Sequence, residues 1–235
     1  MAEPFSISFL PQVDQQTSIE ALTELLDGVA RQPIAHAPWA DGTGLPKVDF
    51  AIAHNAEAIL LKYFVQEKEI RAQYHKLNDP VYEDSCVEFF IAFNAEAAYY
   101  NLEFNCAGTA RVQYGPGKHE RVFIPDHLLE RIRFHISIRN KSEAGICWEL
   151  TLLLPKELFK FHPNLVLEQT PARVNFFKCG DRLPQPHFLC WSNIIADSPE
   201  FHLPAFFKDA IFKSRALTEE NTNAVPLWTA ITNKY

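Results

Sequence analysis

The chain has 235 residues, of which 47% are apolar and 22% charged, the composition of an ordinary globular protein. Its 22 Lys and Arg stand against 29 Asp and Glu, a formal net charge of −7, which argues against a duplex nucleic-acid binder that draws affinity from clustered cations. No apolar run approaches the ~20 residues that span a bilayer.

At the start, Met1-Ala2-Glu3-Pro4-Phe5 offers no basic segment followed by an apolar one, so no signal peptide is legible. A signal already removed would leave the same sequence, and the compartment stays open. A short apolar stretch, Phe5 to Leu10, ends at Pro11. Thr17-Ser18-Ile19-Glu20 reads as a capping box, and Ile19, Leu22, Leu25, Leu26 and Val29 follow at helical spacing. This predicts an amphipathic helix of about three turns, with Gly28 near its end. Extended, proline-containing sequence then runs to Pro46.

From Val48 the apolar period becomes two. Val48 to Ala53 and Ala58 to Gln66 predict a hairpin around residues 54–57. Cys86 to Phe93 and Tyr99 to Cys106 predict a second, extended by Thr109 to Tyr114 up to the Gly115-Pro116-Gly117 turn. Ile132 to Ile138 and Ile146 to Leu153 pair around residues 140–145, and Pro155 to Phe159 reads as one helical turn. Ala172 to Cys179, His187 to Trp191 and Ala210 to Phe212 complete the set. About nine closely spaced strands, with many aromatic residues and little helix, predict a mainly β fold, an antiparallel β-sandwich. The organisation expected is an N-terminal extension with the helix (1–32), the sandwich (33–212) and a polar tail (213–235).

Alternate residues of a strand face opposite sides. Tyr99, Asn101, Glu103 and Asn105 share a polar face, with Tyr100, Leu102 and Phe104 behind them. Glu88 stands opposite Val87, Phe89, Ile91 and Phe93, while Arg173, Asn175 and Phe177 share a face of a later strand. Carboxylates, amides, a guanidinium and aromatics are the chemistry of a sugar site. They are equally the wet outer face of any sandwich. Trp148 alternates with Ile146, Leu150 and Leu152 and reads as core; Trp191 is either core or the wall of a site. Five dispersed cysteines, Cys86, Cys106, Cys147, Cys179 and Cys190, lack zinc-type spacing and read as buried free thiols. Nine histidines form no metal motif, and Gly115-Pro116-Gly117-Lys118 is too short for a phosphate loop.

The stretch Asp79-Pro80-Val81-Tyr82-Glu83-Asp84-Ser85-Cys86-Val87-Glu88-Phe89-Phe90 resembles the W-x-x-D-x-V-E-x-F signature of family 9 carbohydrate-binding modules. Further matches follow in order: Tyr99 to Asn105, Trp148-Glu149-Leu150, Val174-Asn175-Phe176, Cys190-Trp191-Ser192 and Pro199 to Phe207. The last looks like the bacterial, DOMON-like branch. The resemblance, covering roughly 33–212, implies a β-sandwich that clamps a saccharide end between two aromatic rings, in the service of polysaccharide utilisation. The rings would fall on Tyr82 and Phe201, with polar contacts from Glu88, Asn101 and Asn175. Tyr and Phe stand where the family has Trp, and Asn101 where an Arg is expected. The family also implies structural calcium, but no dense acidic loop assigns its ligands. No other cofactor is expected, and the implied partners are a saccharide and a glycoside hydrolase; oligomeric state is not legible.

Two other readings stay open. Glu88 and Glu103 could serve a glycosidase, which needs two carboxyls across one bond. Against this, Asn101 and Asn105, with Arg111 or Arg173 if near, would keep Glu103 ionised and make it a poor general acid. A degenerate family member could instead act as a protein-interaction domain through its N-terminal helix.

Overall fold

The computed structural model describes residues 3–40, 42–141 and 145–215. In chain order the strands are β1 (Phe5–Phe9), β2 (Gln32–Pro33), β3 (Lys47–His54), β4 (Ala58–Glu67), β5 (Cys86–Phe93), β6 (Tyr99–Asn105), β7 (Ala110–Gly115), β8 (Val122–Phe123), β9 (Arg133–Lys141), β10 (Gly145–Pro155), β11 (Ala172–Cys179), β12 (Phe188–Cys190) and β13 (Lys208–Phe212). Two helices, α1 (Ile19–Asp27) and α2 (Asp126–Leu129), accompany them. The fold is mainly β, as the alternation predicts, and the predicted strands Cys86–Phe93 and Ala172–Cys179 fall on β5 and β11 to the residue.

One layer runs β8-β7-β6-β5-β11-β13, with β12 beside β11; the other runs β3-β4-β10-β9, with β2 beside β3. Between them β1 does double duty. Its Phe5–Ile7 pair in parallel with Ala210–Phe212 of β13, and its Ser8–Phe9 with Ala53–His54 of β3, so the layers curl into one another. This departs from the antiparallel-only sandwich and from the expectation of a helical appendage. Phe5 to Phe9 is a strand with a buried face, Ile7 and Phe9, placed at the seam.

The core lies between the layers. Val48, Phe50 and Ile52, Leu61 and Tyr63, Trp148 and Leu150 meet Val87, Phe89 and Ile91, Tyr100 and Leu102, Val174 and Phe176. Phe50 stacks on Phe176 at 3.7 Å between centroids, and Phe176 on Phe89 at 4.9 Å. Each such side chain contributes about 1.5–3 kcal/mol on burial. Two polar pins cross the same gap: Tyr63 Oη donates to the Glu88 carbonyl at 2.8 Å, and Lys178 Nζ lies 3.0 Å from Glu67.

Helix α1 packs on the outer face of β3 and β4, Leu22 and Leu26 resting against Ala53, Ala58 and Leu60. Its cap is Ser18, which accepts from the Ala21 N–H at 3.1 Å, one residue later than the predicted Thr17. Thr17 instead closes the preceding turn with Asp14. The outer face of the other layer is also covered. Residues from 74–82 and 194–207 pack over it in a second apolar cluster that includes Phe90, Tyr99, Phe177 and Phe201. The predicted wet face is therefore an interior one, and Asn101, Glu103 and Asn105 are all buried. The turn expected at 140–145 lies partly outside the described residues, as does the tail beyond 215.

Candidate functional site

Register places the polar side chains. Glu88 of β5 pairs with Glu103 of β6, and Glu103 with Arg111 of β7, while Phe177 of β11 pairs with Glu88 on the other side. One rung across four strands thus reads aromatic, acid, acid, base. Over this rung the covering segments leave a pocket of about 220 Å³, lined by Tyr82, Glu88, Glu103, Arg111, Phe188 and Phe201, among others.

Tyr82 sits on a 3₁₀ turn, Val81–Glu83, held by a buried carboxylate. Asp84 accepts from the Gln73 and Tyr74 N–H groups and from Asn105 Nδ2, all at about 3 Å, and so ties the covering loop to the sheet. Opposite stands the segment 199–202, tied down by Lys118 Nζ to Glu200 at 3.0 Å. Lys118 and Arg121 reach the pocket because β7 turns sharply at Gly115. A Cβ there would lie 2.1 Å from the Glu120 carbonyl, so only glycine allows the close return. Arg121 Nη1 is 3.3 Å from His202 Nε2, and Tyr99 Oη is 2.8 Å from His202 Nδ1.

The floor is buried and acidic. Burial, then the neighbouring Glu103, pushes the Glu88 carboxyl well above its ordinary range. Its Oε1 accepts from the Cys179 thiol at 3.1 Å. Burial raises Glu103 to about 7, against the opposing pull of Arg111, Arg121 and Asn101. This corrects the expectation of an ionised Glu103. The Asn101 amide does donate to it, but Asn105 serves Asp84 instead, and loss of water outweighs the remaining partners. Glu103 Oε2 and Arg111 Nε, 3.7 Å apart, have no hydrogen-bond partner within the chain. Burial and Glu83 lift Asp181, at the pocket edge, to about 6. His202 is held down to about 2 by burial and Arg121, and stays neutral.

Of the predicted residues, Tyr82, Glu88, Glu103 and Phe201 come together in the pocket. Asn101 lies one position behind, orienting Glu103. The other three are elsewhere. Arg173 ties the carbonyls of Glu96 and Pro204. Asn175 locks both backbone groups of Ser192 from a fully buried position. Trp191 packs against Phe5, Phe50 and Phe176, which settles it as core. Phe201 also differs from a free clamp plate. It is 8% exposed, stacked on Phe177 at 4.3 Å and tilted against Trp39, so most of its surface is already taken by neighbours. Phe188, unassigned from sequence, supplies further aromatic wall. The Arg111 guanidinium lies 5.7 Å from the Tyr82 ring centroid and braces that side.

Among the described residues, the only group of His, Cys, Asp or Glu atoms close enough to share a metal is Cys86, Glu88 and Cys179. Two thiols and one carboxyl are not a hard-cation oxygen cage.

Comparison with known proteins gives a consistent picture. Among curated proteins there is no match. A Bacteroides uniformis protein, provisionally assigned to carbohydrate binding, is 36% identical, with a TM-score of 0.80 over 90% of this chain and 100% of its own. A carbohydrate-binding module of family 9 from Caldicellulosiruptor kristjanssonii, solved with cellotriose, is similar in fold at 12% identity and a TM-score of 0.54, covering 96% of this chain and 99% of its own. The glucose complex gives the same identity and score over 91% and 97%. The model of carbohydrate-binding family 9 matches residues 20–212. The chain therefore belongs to carbohydrate-binding family 9, a family of non-catalytic modules, and is not an enzyme.

Proposed function

We propose that the pocket binds the terminal ring of a saccharide, in the service of polysaccharide utilisation beside a glycoside hydrolase. The observation that carries this is the pair of buried polar atoms facing each other on its floor, Glu103 Oε2 and Arg111 Nε, ion-paired at 3.7 Å but without a hydrogen-bond partner in the chain. Buried polar groups rarely go unpartnered. A hydroxyl between them would donate to the carboxyl and accept from the guanidinium, which is what a sugar offers and an apolar ligand cannot. Glu88, whose carboxyl burial pushes well above its ordinary range, adds a second acid to the same floor. Tyr82, Phe188 and the exposed part of Phe201 supply carbon surface for the C–H faces of the ring. The fold relatives solved with glucose and cellotriose make those sugars the first probes.

Calorimetry with glucose and cellotriose tests the reading, with a glycan array to widen the panel. Tyr82→Ala is expected to cost about 1 kcal/mol of binding. Glu103→Gln keeps an amide on the floor but loses the acid, and is expected to weaken binding by about 1–2 kcal/mol. Full affinity in both variants, or no saccharide bound across the array, overturns the assignment.

A further inference from the structure

The pocket does not end at Phe188 and Pro199. Those two residues also line a second cavity of about 340 Å³, whose other walls include Trp39, Leu45 and Gln185. The two cavities therefore share a rim and form one groove. Resting on the saccharide reading above, we infer that Trp39 is the platform of a second sugar subsite, so that the ligand is an oligosaccharide rather than a single ring.

The segment carrying Trp39 is placed deliberately. It precedes β3, a strand of the opposite layer, yet reaches across to the face that holds the pocket. His36 forms a backbone bridge with Cys190 of β12. Trp39 Nε1 donates to the Ala196 carbonyl at 2.8 Å, and Gln185 Nε2 to the Thr43 carbonyl at 3.2 Å. Three ties thus hold the excursion at both ends and at the indole. Gly44 adopts φ +65°, and a Cβ there would press on Gln185 at 2.9 Å, so the return of the loop is shaped for this contact.

The indole is half-buried and its N–H is already satisfied, so what it can present to the groove is carbon. It stands 6.0 Å from Phe201, centroid to centroid, and Phe188 stands 6.2 Å from Phe201 on another side. Phe188 and Trp39 both line the second cavity, and both neighbour Phe201 of the first. Gln185 and His187 also line this cavity; the Gln185 amide oxygen is on offer to hydroxyls, while both ring nitrogens of His187 are taken, by Lys178 Nζ and the Gln185 carbonyl. A ring in the first pocket would leave its chain in this groove instead of in open water.

A chain-length series on the full chain tests the inference, using glucose and cellotriose as probes in calorimetry. Wild type is expected to bind cellotriose three- to tenfold more tightly than glucose, the size of one aromatic contact. Trp39→Ala should abolish that gain while leaving glucose affinity within twofold. Trp39→Phe, which keeps a ring and guards against misfolding, should retain most of the gain. Equal affinity of wild type for both sugars overturns the second subsite and leaves the first standing. Equal losses on both sugars in Trp39→Ala also overturn it, because Trp39 would then act only by supporting Phe201. Binding of neither sugar by wild type removes this subsite along with the reading beneath it.

Discussion

Glu103 makes stability depend on pH in a direction opposite to most carboxylates. Its folded value of about 7 lies above the ordinary 4.5, so the folded protein keeps this proton where the unfolded chain has lost it. The stabilisation is fully present below pH 4.5 and drains away as pH climbs towards 7. His187 and His202, buried neutral, act the other way below 6.5, so the wild-type curve alone mixes the effects. The difference between Glu103→Gln and wild type separates them. We expect the variant to gain on wild type by about 1–3 kcal/mol between pH 5 and 8, read from melting temperatures. A difference constant with pH would contradict a buried, proton-holding Glu103. Glu88 and Glu103 were legible because a period-two pattern puts a lone acid conspicuously among apolar neighbours. Their protonation was not, because burial of that face depends on loops from 74–82 and 194–207 with no pattern of their own. For the same reason Arg121, Lys118 and Phe188 gave no signal, since only the folded turn and cover bring them to the floor.

Among elements, β5, β6 and β11 were the most readable, because apolar residues recur at alternate positions of each, although cover on the second face buries them on both sides. β1 was the least. Five residues of Phe-Ser-Ile-Ser-Phe do alternate, but nothing local says that both neighbours will be parallel strands from distant parts of the chain. Its worth can be measured. Ile7 is fully buried in the inter-layer core, and Ile7→Ala is expected to cost about 2–4 kcal/mol in denaturant unfolding. A loss under 1 kcal/mol would mean that the seam adds little. The cap of α1 carries a smaller lesson: Thr17 and Ser18 are chemically equivalent cappers, and Asp14, by engaging Thr17, decides between them.

The whole molecule hides its thiols unevenly. Cys86, Cys106, Cys179 and Cys190 are buried, and burial pushes Cys86 and Cys190 up to about 11 and Cys106 to about 12. Cys147 is only half-buried, on the outer face of β10, which departs from the expectation of five buried thiols. Native protein should therefore give one fast equivalent with an aromatic disulfide reagent and four slow ones, with five on denaturation. Cys147→Ser should remove the fast phase; a fast phase that survives would place an accessible thiol elsewhere. The seam at β1 has a consequence in time as well as in space. Synthesis runs from the N-terminus, yet Phe5 finds its partner only in Ala210. Closing a loop of nearly the whole chain into a parallel pairing is among the costliest contacts to form. The pairing of Phe5–Ile7 therefore forms only once Ala210–Phe212 has been made, whereas the packing of Phe50 on Phe176 across the layers does not depend on it.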